Sequence, residues 1–245
     1  MPIKEFLKSV VNYPLGLANL RIGRRRTSPQ YLYDACLQEA FAGVQSPFVL
    51  DVGAHHGETV AYIRERFPDA RIVAFEPTPE SFQLLTKLQQ RYKFEPFNLA
   101  LGAKNGQVDF HVNSHSPTNS ILAMDAGASR LDPLAAETPL LVRVALARLD
   151  DFLVQHQMQQ SIDYLKLDVQ GYEVEVIKGA TETLRRVRFV MTEVQFNPVY
   201  QNSSKVDELC YEFYSRGFRL VRSLGYLPGH DVDQLVSSDF FFKRV

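Results

Sequence analysis

Cysteine is scarce, with only Cys36 and Cys210 in 245 residues. Two are too few for a disulfide framework and lack metal-ligand spacing, so a reducing, cytoplasmic setting is the expectation. An excess of charge is also missing. Twenty-seven basic residues face 28 acidic ones, a net charge of −1, which argues against a general nucleic-acid binder. No run approaches the ~18 apolar residues that a spanning helix needs. The first twenty residues lack the compact apolar stretch and cleavage site of a signal peptide, so none is expected. Thirteen Gly and thirteen Pro exclude collagen-like and low-complexity classes, and no internal repeat is present. What is there is ordinary: 45% hydrophobic and 22% charged residues, enough to bury a core without staples.

The charge is unevenly spread. Residues 1–30 carry Lys4, Lys8, Arg21, Arg24, Arg25 and Arg26 against Glu5 alone, a net +5. We read residues 1–30 as a basic N-terminal extension and 31–245 as a single domain. The arm has the charge to touch acidic lipid at the membrane surface, or an acidic partner. It lacks the sustained amphipathic period of a membrane-surface helix, so a solvated extension packing a few apolar residues on the domain is the plainer reading.

From residue 47 the pattern is regular. PFVLDVGA and RIVAFEP are short apolar runs ended by Gly and Pro, hence buried strands. Between them Val60, Ile63 and Phe67 recur at helical spacing up to Pro68. A second helix opens at Pro79 with Phe82, Leu84, Leu85 and Leu88 as its apolar face. PFNLALG reads as a third strand. This alternation implies a parallel sheet with crossover helices, an α/β fold. QVDFHV and LVRVALARL read as strands around a long irregular segment rich in Ser, Asn and Pro, the kind of loop that is usually functional or mobile. IDYLKLDV and VRFVMTEVQF are further strands joined by a helix around GYEVEVIKGA. SKVDELCYEFYSRG is a helix stopped by Gly217. FRLVRSL and SSDFFFKRV close the chain as an antiparallel hairpin.

Chemistry starts at the first strand-to-helix turn, Asp51-Val52-Gly53-Ala54-His55-His56-Gly57. Ligands of open α/β sheets bind at the carboxyl ends of strands where strand order reverses. Gly53 lets the backbone turn and a ligand approach; Gly57 removes a side chain where the helix begins. The dinucleotide fingerprint G-x-G-x-x-G is absent, as is a P-loop lysine pattern. The turn therefore suits a nucleoside without a pyrophosphate, with Asp51 open to a cationic amine. A tight turn with no ligand is the alternative. Glu76, 25 residues on at the end of the second strand with Pro77 behind it, suits the two hydroxyls of a ribose.

DVGAHHGETV, AFEPTPESF, NLALG, LDD, YLKLDVQGYEVEVIKGA and TEVQF occur here in the order seen in FkbM-type S-adenosylmethionine-dependent methyltransferases, a family that residues 47–243 resemble. The resemblance implies the Rossmann-like class I methyltransferase sheet, seven-stranded and mostly parallel with a reversed final hairpin. It also implies S-adenosyl-L-methionine as cofactor, with Asp51, Gly53 and Gly57 at its methionine part and Glu76 and Pro77 at its ribose. Asn98 would lie near its adenine. The family usually has Asn at position 55 and an acid at position 170; here His55 and Gln170 stand there. The acceptors implied are hydroxyls on sugars, glycans or polyketide-like small molecules.

Oxygen nucleophiles need a general base, worth ~10²–10⁴-fold. Asp168 and Glu193, at the ends of the fourth and fifth strands, are the candidate catalytic carboxylates, and Lys166 shares a strand face with Asp168. Structural roles, as turn cap or ion pair, are the alternatives. A divalent metal held by Asp168, Glu193 and Asn197 is the other way to acidify a hydroxyl, and Gln170 counts against it. None of the six histidines forms an H-x-x-x-H pair. An Asp/Asn-Pro-Pro-aromatic element and a strand-end cysteine, which nucleobase methylation uses in this fold, are both missing. The expectation is therefore O-methylation of a small-molecule or saccharide hydroxyl. The alternatives are a catalytically inactive cofactor-binding scaffold or partner subunit, and a nicotinamide oxidoreductase, which the absent glycine disfavours.

Overall fold

The computed structural model describes residues 29–125, 138–197, 199–228 and 235–245. Apart from Pro29 and Gln30, the basic extension lies outside them. The chain divides into two compact units, residues 1–39 and 40–245. Helix α1 (Pro29–Ala40) accounts for the described part of the first. All that follows concerns the second.

Its main sheet has seven strands. β1 (Phe48–Val52), β2 (Arg71–Phe75) and β3 (Glu95–Phe97) alternate with α2 (Glu58–Arg66) and α3 (Pro79–Tyr92). After an insertion come α4 (Leu149–Gln155), β7 (Ile162–Leu167), α5 (Glu173–Lys178), α6 (Thr181–Leu184) and β8 (Val187–Gln195). α7 (Val206–Ser215), β9 (Phe218–Pro228) and β10 (Leu235–Arg244) complete the chain. The order is β3-β2-β1-β7-β8-β10-β9, parallel except for β10, which runs antiparallel to both neighbours. This is the mostly parallel, seven-stranded sheet with a reversed final hairpin that the sequence resemblance implies.

Every residue of β1 and β7 is buried, as expected of central parallel strands covered on both faces. Leu50, Val52, Leu165 and Leu167 join Phe75, Val190 and Phe213 in one core. Each such side chain contributes roughly 1.5–3 kcal/mol by leaving water. β2 pairs with one side of β1 and β7 with the other, so strand order reverses at β1. The sheet thus opens a crevice above the carboxyl ends of β1 and β7, where ligands of such sheets bind.

Three local readings change. PFNLALG is not one strand: it splits into β3 and a two-residue strand, β4 (Ala100–Leu101), in another sheet. Between them Asn98 donates from Nδ2 to the carbonyls of Glu76 and Pro77, both at 2.9 Å, pinning the chain to the end of β2. On α3, Leu85 is buried but Leu84 is an exposed apolar side chain, because the inward face follows the spacing of Leu85 and the half-buried Phe82 and Leu88. The helix around GYEVEVIKGA is two short ones, α5 and α6.

The insertion builds a small sheet of its own. β5 (Gly106–Val112) pairs antiparallel with β6 (Leu140–Ala147), which pairs parallel with β4. Ala100, Phe110, Val144 and Leu146 form its separate core. The irregular segment after β5 turns through a 3₁₀ helix at Ser116–Thr118 and bridges back from Ser120 to His111. Among the described residues no helix is long and apolar enough to cross a membrane.

Candidate active site

A cleft of about 370 Å³ lies above the carboxyl ends of β1, β2 and β7. The turn after β1 forms its floor. Gly53 has φ +80°, and a β-carbon there would stand 1.8 Å from the Asp168 carbonyl oxygen. Only glycine lets the two strand ends approach this closely. Gly57 caps α2 with φ +89°, and a β-carbon there would meet leucine methyls of α3 at 3.0 Å. Its bare backbone therefore serves the packing of α2 on α3, and it does not line the cleft.

Glu76 and Pro77 line one wall. The Glu76 carboxylate is buried and held from three sides. Oε1 accepts from the Thr78 amide at 2.9 Å and the Thr78 hydroxyl at 2.5 Å; Oε2 accepts from the His55 amide at 2.9 Å. Burial raises its pKa, and these donors oppose the rise. Among the described residues Oε2 has a single partner, so it retains a lone pair for a ligand hydroxyl. Phe75, Leu99, Leu101, Phe110 and Ile121 make the neighbouring wall apolar. Asn98 does not line the cleft; its amide holds the backbone of the two residues that do.

Lys166 and Asp168 line the floor beside Gly53. Lys166 Nζ lies 3.2 Å from Asp168 Oδ2 and 3.5 Å from Asp51 Oδ1, and donates to the Gly53 carbonyl at 3.4 Å. Asp51 is fully buried beneath this floor. Burial pushes it up to about 6, although the charge and the hydrogen bond of Lys166 oppose the rise. The sequence leaves Asp51 open to a ligand amine; in the structure the cation beside it is Lys166.

Gln170 follows Asp168 in a turn of left-handed residues, φ +54° at Gln170 and +96° at Gly171. Its Nε2 donates to Asp168 Oδ1 at 2.8 Å and to Glu193 Oε2 at 3.0 Å. Glu193 itself does not line the cleft but joins it through this amide. Burial pushes Glu193 up to about 7, with Asp168 adding repulsion and Ser237 opposing the rise. Asp239 faces Glu193 across the β8–β10 pair and is pushed up to about 6, by burial and then by Asp168. The turn is tied at several points. Ser120 Oγ donates to the Gln170 carbonyl at 2.8 Å, and the buried Glu173 accepts from the amides of Val169 and Gly171.

The insertion reaches the cleft from above. Pro117, Asn119 and Ile121 line it, and His55 Nε2 meets Ser116 Oγ at 2.8 Å. Sequence reasoning passed over Ser116, Pro117, Asn119 and Ile121, and also Tyr200 and Asp239. Their signal lies in contacts between segments far apart in the chain. For a metal, the one group of three among the described residues with ligand atoms close together is His55, His56 and Glu58, all within 4.8 Å. Of the set weighed from sequence, Asp168, Glu193 and Asn197, the two carboxylates have the Gln170 amide between them.

Residues 51–220 match the model of the methyltransferase FkbM domain. The 2-O-methyltransferase NoeI of Sinorhizobium fredii is 28% identical over 163 residues, 63% of this chain and 66% of that protein. The hexuronic acid methyltransferase AglP of Haloferax volcanii is 25% identical over 146 residues, 59% of this chain and 54% of that one. The match spans less than two thirds of the length of either relative. Among solved structures, Aeropyrum pernix fibrillarin with S-adenosyl-L-methionine bound gives a TM-score of 0.47 at 11% identity, covering 86% of this chain and 74% of that one. With the family model covering well over half of its residues, the chain belongs to the FkbM methyltransferase family.

Proposed function

We propose that this protein methylates a saccharide hydroxyl with S-adenosylmethionine as methyl donor. The observation that carries the reading is the cleft itself. Glu76 stands on one wall, and the side-chain-free turn at Gly53 forms the floor with Asp168 beside it. The residues fit the cofactor. Gly53 presents bare backbone to the cleft, and Glu76 Oε2 retains acceptor capacity. Glu76 would hold the ribose hydroxyls, and the wall of Phe75, Leu99, Leu101 and Phe110 would take the base. Pro77 would pack on the ribose side, and Asn98 would position Glu76 and Pro77 through their carbonyls. Gly53 would meet the methionine part, with Asp51 and Gly57 supporting the turn from beneath. Bound there, S-adenosylmethionine supplies a methyl group already activated by its sulfonium.

The chain's own task is then to align a hydroxyl and take its proton. Asp168 lines the cleft and accepts that proton, with Glu193 coupled to it through Gln170. Lys166 fixes the Asp168 carboxylate and offsets its charge. Asp168, Glu193 and Asp239 outnumber Lys166, which favours neutral or amino sugars over uronates as acceptors.

The test is turnover of labelled S-adenosylmethionine with neutral, amino and uronic glycosides. Transfer to the first two, lost in Asp168→Asn with cofactor affinity kept, is the expected result. Cofactor binding without transfer to any acceptor would leave the scaffold reading instead. A thermal shift with a nicotinamide dinucleotide and none with S-adenosylhomocysteine would favour the oxidoreductase.

A further inference from the structure

Asp168 and Glu193 project from neighbouring parallel strands toward the same point. Two carboxylates in that relation repel unless something positive lies between them. A divalent cation is the common solution, binding oxygens at ~2.0–2.6 Å. Here the position between them is filled by a side chain. Gln170 Nε2 sits 2.8 Å from Asp168 Oδ1 and 3.0 Å from Glu193 Oε2, so each of its two N–H bonds has one carboxylate to serve. The orientation of the amide follows from its partners, because Oε1 faces the Tyr200 hydroxyl at 3.0 Å. A reversed amide would set its oxygen against two anions.

The backbone is arranged for this placement. Gln170 adopts φ +54°, a conformation that non-glycine residues seldom take and that persists only where the surroundings impose it. The Ser120 hydroxyl holds the Gln170 carbonyl, and Glu173 holds the amides on either side of the residue. Tyr200 Oη also lies 2.9 Å from the Thr118 carbonyl, so the phenol shares its one proton between the insertion and Gln170 Oε1, and the two carboxylates set the orientation of the amide.

We infer that Gln170 is a positioning residue whose carboxamide takes the place of a bridging cation between Asp168 and Glu193, keeping the two carboxylates together as a metal-free proton-accepting pair. The inference rests on the methyltransfer reading for what the pair accepts a proton from. The bridge itself is tested without any acceptor. Gln170→Glu replaces the two N–H donors by a third carboxylate, and Gln170→Met keeps the length while removing the donors and leaving the two anions unbridged.

The test titrates full-length wild type, Gln170→Glu and Gln170→Met with MnCl2, followed by the electron paramagnetic resonance of free Mn²⁺. S-adenosylhomocysteine binding is measured calorimetrically on the same samples. Wild type should take up no Mn²⁺ that Asp168→Asn abolishes. Gln170→Glu should bind one equivalent, weakened at least tenfold when Asp168→Asn is added, and Gln170→Met should bind one equivalent less tightly. Stoichiometric Mn²⁺ uptake by wild type that depends on Asp168 would overturn the inference, as would failure of either folded variant to gain a site. Should one variant fail to fold, the other and the wild-type arm still decide. Loss of S-adenosylhomocysteine binding in wild type would sink the cofactor reading alone, since the Mn²⁺ order does not depend on it.

Discussion

Gly53→Ala separates steric from conformational cost at the floor of the cleft. The new methyl would stand 1.8 Å from the Asp168 carbonyl oxygen, where carbon and oxygen ordinarily meet at about 3.3 Å. The ends of β1 and β7 must then part by more than an ångström. The Asp168 amide donates to Val52 O at 3.0 Å and the Gly53 amide to Phe75 O at 3.0 Å, and these bonds resist that movement. Forcing alanine into a left-handed conformation adds ~1–2 kcal/mol, and loss of one buried backbone bond ~1–3 kcal/mol. The expected destabilisation is on the order of 2–5 kcal/mol. Gly43→Ala is the control: φ is +76° there, but nothing lies within 4 Å of the added carbon, so only about 1–2 kcal/mol should be lost. Urea unfolding gives both values, and calorimetry with S-adenosylhomocysteine gives the affinity of whatever remains folded. If Gly53→Ala proved no less stable than Gly43→Ala and bound the ligand like wild type, the close approach of the two strands would not matter.

Glu76→Ala should weaken S-adenosylmethionine binding by roughly 1.5–3 kcal/mol, about 10- to 150-fold, the range of hydrogen bonds to a charged group; unchanged affinity by calorimetry would remove Glu76 from the site. Buried Glu173 is pushed up to about 8 by desolvation, so its contribution to stability is complete below the unfolded carboxylate value and disappears as pH rises through about 8. Glu173→Gln keeps an acceptor for Val169 and Gly171, and should flatten the loss of melting temperature between pH 6 and pH 9; a variant as pH-sensitive as wild type would refute this. Methyl transfer should rise with pH around 7 as Glu193 loses its proton, and Glu193→Gln should remove that rise; an identical profile would exclude Glu193 from the proton-accepting machinery.

The main sheet was legible because its strands are unbroken apolar runs with punctuation at their carboxyl ends. Asp51, Gly53, Glu76, Lys166 and Asp168 stand at or beside those ends, so reading the strands also located the residues around the cleft. What stayed hidden depends on tertiary contact. Nothing local separates Phe97 from Ala100; the break comes from the bonds of Asn98 to the end of β2. Gln170 could be seen as an unusual residue, but its two carboxylate partners lie two and 23 residues away. Pro117, Asn119 and Ile121 sit in a segment without period, and only the folded chain brings them over the cleft. The partner of Asp51 was equally invisible, since Lys166 is 115 positions distant and meets it only through β1–β7 pairing.

The small sheet of β4, β5 and β6 has a consequence for how such proteins diversify. It registers only with itself and keeps its own four-residue core; Leu101 and Ala147 seat it on the main core, and contacts such as His55–Ser116, Ser120–Gln170, Tyr200–Thr118 and the Met124–Tyr200 bridge tie down the segment that follows β5. A roof assembled this way can be lengthened, trimmed or exchanged while the register of the seven central strands is left alone. New acceptors can then be acquired by rewriting one contiguous stretch of gene, and an engineer seeking altered selectivity would graft there first.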